Sequence, residues 1–325
     1  MRRILAALGA LLALAAFPAA GQDYPSRPIT LLVPFAAGGP TDTVARAIAQ
    51  AMTKTLKQPI VVENAVGAGG TIAPTKLKSS TPDGYTLLIA HIGMATASAL
   101  YRTLAFKPAE DFEYIGQVVD VPMTLLGRKD LPPNNLRELL AYIKANKDKM
   151  SFANANAGVG AASHLCGLLF MSAIQTEITT VPYKGTAPAI NDLLGGQVDL
   201  LCDQTTQTTP YITANRVKVY GTTSRTRLET LKDVPTLAEA GVPNFEVGVW
   251  HGVYAPKGTP KPVIDKLVTA LQAGIQDPAF VQKMHDLGGQ VVPLSKATPS
   301  GLRDHLRAEI DKWTPIIKKA GVYAE

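Results

Sequence analysis

From Ile29 onward the chain alternates short apolar runs with amphipathic stretches. Apolar runs bounded by turn residues read as buried strands, and apolar positions recurring every third or fourth residue read as helices. The pattern predicts strands at Ile29–Pro34, Ile60–Val62 and Tyr85–Ala90, and helices at Thr43–Leu56, Ile72–Ser79 and from Gly93 onward. Pro82-Asp83-Gly84 marks the turn before the third strand. Strands separated by helices imply a parallel sheet, with ligand loops at the carboxyl ends of its strands.

Between Phe112 and Arg128 the rhythm changes. Two strand-like runs, Tyr114–Val119 and Met123–Gly127, follow one another with no helix between them, as in a crossover into a second domain. A new series then begins. It comprises a helix at Leu136–Ala145, a strand at Ser151–Asn154, a helix at Ala161–Ala173, a strand at Thr179–Pro182 and a helix at Pro188–Leu194. A strand at Val198–Cys202, a helix at Thr208–Ala214 and a strand at Val217–Thr222 complete it. An apolar, aromatic run at Phe245–Tyr254 reads as the return crossing, where Trp250 and His251 would pack the hinge. Helices at Lys261–Gly274, Ala279–Leu287 and Pro299–Ala320 are expected to rejoin the first domain. The division expected is therefore 1–21 leader, 22–120 first lobe, 121–246 second lobe and 247–325 return to the first lobe.

Length supports two domains. Arg2 and Arg3 precede an apolar run from Ile4 to Phe17 and the small residues Ala19, Ala20 and Gly21, the layout of a cleaved secretory signal. Some 304 residues (325 − 21) remain, more than one core usually organises. The expected compartment is the periplasm. The net charge of +6 is carried by scattered Lys and Arg, with only 6% aromatic residues, which argues against a nucleic-acid surface and suits a small anion better. Two cysteines, Cys166 and Cys202, allow one disulfide or two buried thiols.

The candidate chemistry lies in glycine loops that follow strands and precede helices. Val33-Pro34-Phe35-Ala36-Ala37-Gly38-Gly39-Pro40-Thr41-Asp42 leads into a helix, and Asn64 to Gly70 and Asn154 to Gly160 repeat the arrangement. A helix start presents unpaired N–H groups and a partial positive charge, a seat for a carboxylate. The bland alternative is a set of tight turns. Asp42 and Arg46, four apart on a helix, read as a structural pair. His91, Ser163, His164, Tyr183, Lys184 and Asp203 fall at strand ends or helix starts, where each serves equally as a ligand contact or as a cap or packed side chain. Catalytic signatures are missing: there is no nucleophile elbow, no zinc-protease helix, no phosphate loop ending in Gly-Lys-Ser/Thr and no clustered metal ligands. The expectation is a non-enzyme with no cofactor and no metal.

Several motifs in order carry a resemblance. Tyr24-Pro25-Ser26-Arg27-Pro28, the Val33–Asp42 loop, Val62-Glu63-Asn64-Ala65-Val66-Gly67-Ala68-Gly69-Gly70, Pro82-Asp83-Gly84-Tyr85 and Val181-Pro182-Tyr183-Lys184-Gly185 are the first five. Asp192-Leu193-Leu194-Gly195-Gly196-Gln197-Val198-Asp199, Val234-Pro235-Thr236-Leu237 and Ala255-Pro256-Lys257-Gly258 follow. Together they resemble the Bug-type extracytoplasmic solute receptors of tripartite tricarboxylate transporters over essentially the whole mature chain. The resemblance implies an α/β type II periplasmic-binding-protein fold, two lobes with a hinge of two crossover strands. It implies a monomer that captures a small organic carboxylate and hands it to the membrane components of such a transporter; an aliphatic or aromatic dicarboxylate is preferred because His91, His164 and Tyr183 could hold a second polar end. A sensing role beside a membrane histidine kinase, or an enzyme on the same fold, is the alternative. Carried over by motif, the ligand contacts are Phe35, Ala36, Gly38, Gly39, Thr41, Asn64, Gly69, His91, Ala157, Gly158, Ser163, His164, Tyr183 and Asp203, with Asp203 facing an amine in some relatives.

Overall fold

The computed structural model describes residues 24–155 and 160–321. The expected signal segment, Ala157 and Gly158 lie outside them. In chain order the strands are β1 (Ile29–Val33), β2 (Ile60–Asn64), β3 (Thr86–His91), β4 (Phe112–Gly127), β5 (Ser151–Asn154), β6 (Thr179–Pro182), β7 (Leu200–Gln204), β8 (Lys218–Thr222), β9 (Gly248–Pro256) and β10 (Gln290–Val291). The helices are α1 (Pro40–Leu56), α2 (Ile72–Lys78), α3 (Gly93–Leu100), α4 (Leu136–Asn146), α5 (Ala162–Ala173), α6 (Thr186–Leu194), α7 (Thr205–Thr213), α8 (Leu237–Ala240), α9 (Lys261–Ile275), α10 (Pro278–Asp286) and α11 (Pro299–Ala320).

All ten strands belong to one sheet, and its halves repeat one plan. In the first, β2, β1 and β3 run parallel, and β9 is inserted antiparallel between β3 and β4. In the second, β6, β5 and β7 run parallel, and the end of β4 is inserted antiparallel between β7 and β8. Strand order therefore reverses beside β1 and again beside β5, and loops at such reversal points diverge to leave a crevice.

The two short strands expected near residue 120 are one strand of 16 residues, β4. Its first part pairs with β9 as far as Pro122↔Gly248, and from Met123 it pairs with β7. Pro122 interrupts the sequence pattern but not the strand, because it sits where the partner changes and a missing N–H leaves no gap in a ladder. Thr223 staples this crossing. Met123 N–H donates to its Oγ1 at 2.8 Å, and its own hydroxyl donates to the Val247 carbonyl at 2.5 Å.

Three helices start two or more residues earlier than their apolar periodicity suggests, α1 at Pro40 instead of 43, α6 at Thr186 instead of 188 and α7 at Thr205 instead of 208. Proline at the first helical position explains the first of these, since its φ is already helical and its missing N–H would have been unpaired anyway. The shift places Thr41 and Thr186 in the first turns of facing helices. The core is continuous: Ile29, Leu31, Leu32 and Ile48 in the first half join Phe152, Phe170 and Leu200 in the second through Val119, Val121 and Met123 of β4. Cys166 of α5 and Cys202 of β7 form a disulfide, which resolves the open choice about these residues.

Candidate functional site

The segment from Phe35 to Thr41 leaves β1 and enters α1. Gly38 adopts φ +75°, a left-handed turn that glycine allows without strain. Its N–H turns inward and donates to Asp42 Oδ2 at 2.9 Å, and Gly39 N–H donates to the Ala36 carbonyl at 3.3 Å. This corrects the expectation that these two glycine amides hold a ligand, since both are engaged within the loop. At this point the N–H groups of Ala36, Ala37 and Thr41, and those of Thr186 and Ala187 at the start of α6, have no partner among the described residues. These belong to one cavity of about 130 Å³, lined from one side by Phe35, Ala36, Ala37, Gly39, Pro40 and Thr41 and from the other by Lys184 to Pro188. Two helix N-termini thus meet across a single space, each with positive dipole end and free donors.

The second half carries buried polar atoms with no partner, one of them on Thr186, which lines this cavity. Thr186 Oγ1, Asp203 Oδ2, Thr206 Oγ1 and both side-chain atoms of Gln204 are buried and unpaired. Asp203 is fully buried, and burial pushes its carboxyl up to about 6. The Gln204 N–H, donating to Oδ1 at 2.8 Å, offsets this only in part, and the Thr186 hydroxyl adjoins the carboxyl without completing a bond. Buried polar groups are nearly always paired with protein, water or ligand. Gln204 and Thr206 were not foreseen, and only the strand end at β7 could have signalled them.

Behind the first loop lie two buried histidines. The His91 ring stacks on Phe35 at 4.5 Å and is edge-on to His251 at 5.9 Å. His91 Nδ1 accepts from Gly93 N–H at 3.0 Å, which leaves its proton on Nε2, an atom without a partner. Burial pushes His91 down to about 4, and burial together with His91 holds His251 well below its ordinary value. Both are neutral at ordinary pH. His251, on the crossing strand β9, hydrogen-bonds Thr41 Oγ1 through Nε2 at 3.2 Å, a role beyond the hinge packing expected of it. His91, Phe35 and Gly69 line a second, much smaller cavity of about 20 Å³ with Thr96 and Gly160.

The remaining candidates are engaged elsewhere. Asn64 Nδ2 donates to the Phe35 carbonyl and to Asp42 Oδ1, each at 2.9 Å. Ser163 Oγ accepts from Ala155 N–H at 3.1 Å. His164 Nδ1 accepts from Gly160 N–H at 3.1 Å, and its ring lines a groove between α5 and α11 rather than the Thr41 cavity. The Tyr183 hydroxyl donates to Asp192 Oδ2 at 2.7 Å; burial and that carboxylate push it up to about 12. Asp42 and Arg46 form the ion pair expected, at 2.8 Å.

The halves touch around the cleft. Thr96 Oγ1 donates to the Gly160 carbonyl at 3.2 Å, and a methyl at Gly160 would fall 2.1 Å from Leu100 Cδ1. A methyl at Gly185 would lie 3.4 Å from Ala36 Cβ. Across the molecule, Thr205 Oγ1 donates to the Gly288 carbonyl at 3.2 Å and His285 pairs with Glu229.

Two sheet halves of one plan, joined by crossing strands with a cavity between them at their carboxyl ends, define a periplasmic solute-binding protein. Its lineage follows from a sequence profile described as tripartite tricarboxylate transporter family receptor, which matches residues 44–322; the chain belongs to that family. The solved structure of periplasmic binding protein BugD is 54% identical, with a TM-score of 0.89 over 92% of this chain and 99% of that one. MatC from Rhodopseudomonas palustris, solved with bound malate, is 39% identical, with a TM-score of 0.86 over 90% and 100% of the two chains. An R. palustris protein solved with adipate is 33% identical, with a TM-score of 0.87 over 93% and 99%.

Proposed function

We propose that this protein binds a small dicarboxylate in the periplasm and delivers it to the membrane components of a tripartite tricarboxylate transporter. The observation that carries the reading is the cavity where the N-termini of α1 and α6 meet, with Ala36, Ala37, Thr41, Thr186 and Ala187 offering N–H donors without partners. A carboxylate seated there accepts charge-assisted hydrogen bonds from both halves at once. Such bonds exist only in the closed form, so the ligand favours closure by the difference in its contacts with the open and closed states. Lys184 lines the same space and adds positive charge.

The far end of the ligand falls to Thr186, Asp203, Gln204 and Thr206, whose unpaired atoms supply both donors and acceptors. The malate and adipate bound by two relatives are both dicarboxylates of different length, which supports a ligand anchored by one carboxylate with variable chemistry beyond it. Residues 22–120 and 247–325 act as one lobe and 121–246 as the other, a division supported by the change of partner after Pro122.

Isothermal titration with malate, adipate, succinate and citrate tests the reading, with glucose and putrescine as controls. Binding of at least one dicarboxylate in the micromolar range or tighter is expected. Binding of a control in its place, or of acetate or butyrate, titrated alongside, as tightly as of the dicarboxylates, counts against it.

A further inference from the structure

The first loop is held by side chains, not by its own backbone alone. Asn64 lies at the end of β2, one strand away from the loop, yet its Nδ2 reaches the Phe35 carbonyl and Asp42 Oδ1. Asp42 in turn takes Gly38 N–H and Arg46 Nε on Oδ2, and Arg46 Nη2 on Oδ1 at 3.0 Å. Burial alone would raise the Asp42 carboxyl, but its bonds to Arg46, Gly38 and Asn64 outweigh that and hold it below its ordinary value. A carboxylate so close to an anion seat would repel the ligand if it faced the cavity. Here its oxygens are all directed at donors from the loop, β2 and α1.

We infer that Asn64 is a positioning residue: its amide ties Phe35 and Asp42 together, so that the N–H groups of Ala36, Ala37 and Thr41 open into the cavity while the Asp42 carboxylate stays turned away. The inference rests on the reading that a ligand carboxylate sits at the start of α1. Each Nδ2 proton has one acceptor and Oδ1 is approached by Arg46 Nη2 at 3.4 Å, so the Asn64 amide has no donor left for a ligand. Its effect on binding must then pass through the loop, and must be the same for every ligand that uses the common carboxylate.

Asn64→Asp keeps the shape but replaces the donor with a second carboxylate facing Asp42, and Asn64→Ala removes the group. In the full mature chain, two measurements are made on both variants: malate and adipate affinity by titration calorimetry, and amide hydrogen exchange of residues 36–43 without ligand. Both variants are expected to lose at least tenfold in affinity, by the same factor for malate and adipate. Exchange at Gly38 should quicken at least tenfold while the β1 and β3 amides keep wild-type protection. Asn64→Asp should recover part of its loss relative to wild type between pH 8 and pH 5, as a protonated carboxyl regains a donor. Affinity within twofold of wild type, unchanged exchange at residues 36–43, or a loss differing more than tenfold between the two ligands overturns the inference. If the wild-type protein binds neither dicarboxylate, the proposed function fails, and the exchange measurement still decides whether Asn64 positions the loop.

Discussion

The two sides of the cleft are built on the same strand order but treat their polar groups in opposite ways. In the first half the polar side chains at the loop itself have partners, Asn64 with Phe35 and Asp42, Asp42 with Gly38 and Arg46, Thr41 with His251, although His91 Nε2 and His251 Nδ1 behind it have none. In the second, Thr186, Asp203, Gln204 and Thr206 hold buried atoms with none. A paired network fixes geometry before the ligand arrives, whereas unpaired buried groups destabilise the empty form and are relieved when a ligand completes them. Under the proposed function, one side is a preformed seat for a carboxylate, and the other reads what is attached to it.

The sharpest test of this contrast is stability in the absence of ligand. The largest effect is expected from Cys166→Ser combined with Cys202→Ser, which frees α5 from β7 in the reading half. The bridge closes a loop with a sequence separation of 36, and chain entropy assigns such a loop about 3 to 4 kcal/mol. Urea unfolding should show a loss of that size; a loss below about 1 kcal/mol would mean that packing alone holds the second half.

Asp203→Asn should act in the opposite direction. The folded carboxyl titrates near 6 against its ordinary 3.8. Well below pH 3.8 the group is neutral whether folded or unfolded and has no effect. As pH rises through 4 to 6 the unfolded form ionises more readily, and above 6 the buried charge destabilises the folded protein by about 3 kcal/mol. Asparagine removes that dependence, so the variant should melt higher than wild type at pH 7.5, with the gap closing by pH 4. Equal melting at pH 7.5 would show that Asp203 is paired in solution.

Smaller effects separate the halves directly. Thr41→Val leaves a buried His251 nitrogen without its partner and should lower stability by about 2 kcal/mol. Thr186→Val removes a hydroxyl that has no partner, so denaturant midpoints should rise, by up to about 1 kcal/mol, while malate affinity falls. Were both threonine variants destabilising, the contrast between seat and reader would not hold.

Much of the architecture was readable from the pattern of residues. Runs such as Ile29–Val33 and Ser151–Asn154 are strands because nearly all of their side chains are buried, and burial on both faces writes a continuous apolar run. The crossing was legible as a loss of helix between two strands, but not as one strand through Pro122, because partner exchange is a property of the sheet. The loop at Phe35 was legible through its glycines and the proline that starts α1. Which amides remain open was not, since that depends on Asn64 and Asp42 hydrogen-bonding to the loop across 29 and 4 positions of sequence.

The sequence by itself determined the alternation of strands and helices, the two-part plan and the placing of anion-seeking loops at strand ends, because periodicity and glycine conformation act over a few residues. Only the tertiary structure decided that Asn64 from β2 ties Phe35 to Asp42, that Thr41 answers to His251 from the crossing strand, and that Asp203 Oδ2 is left without a partner. Hydrogen-bond satisfaction is settled by which distant atoms come within about 3 Å, and no local pattern of residues encodes that.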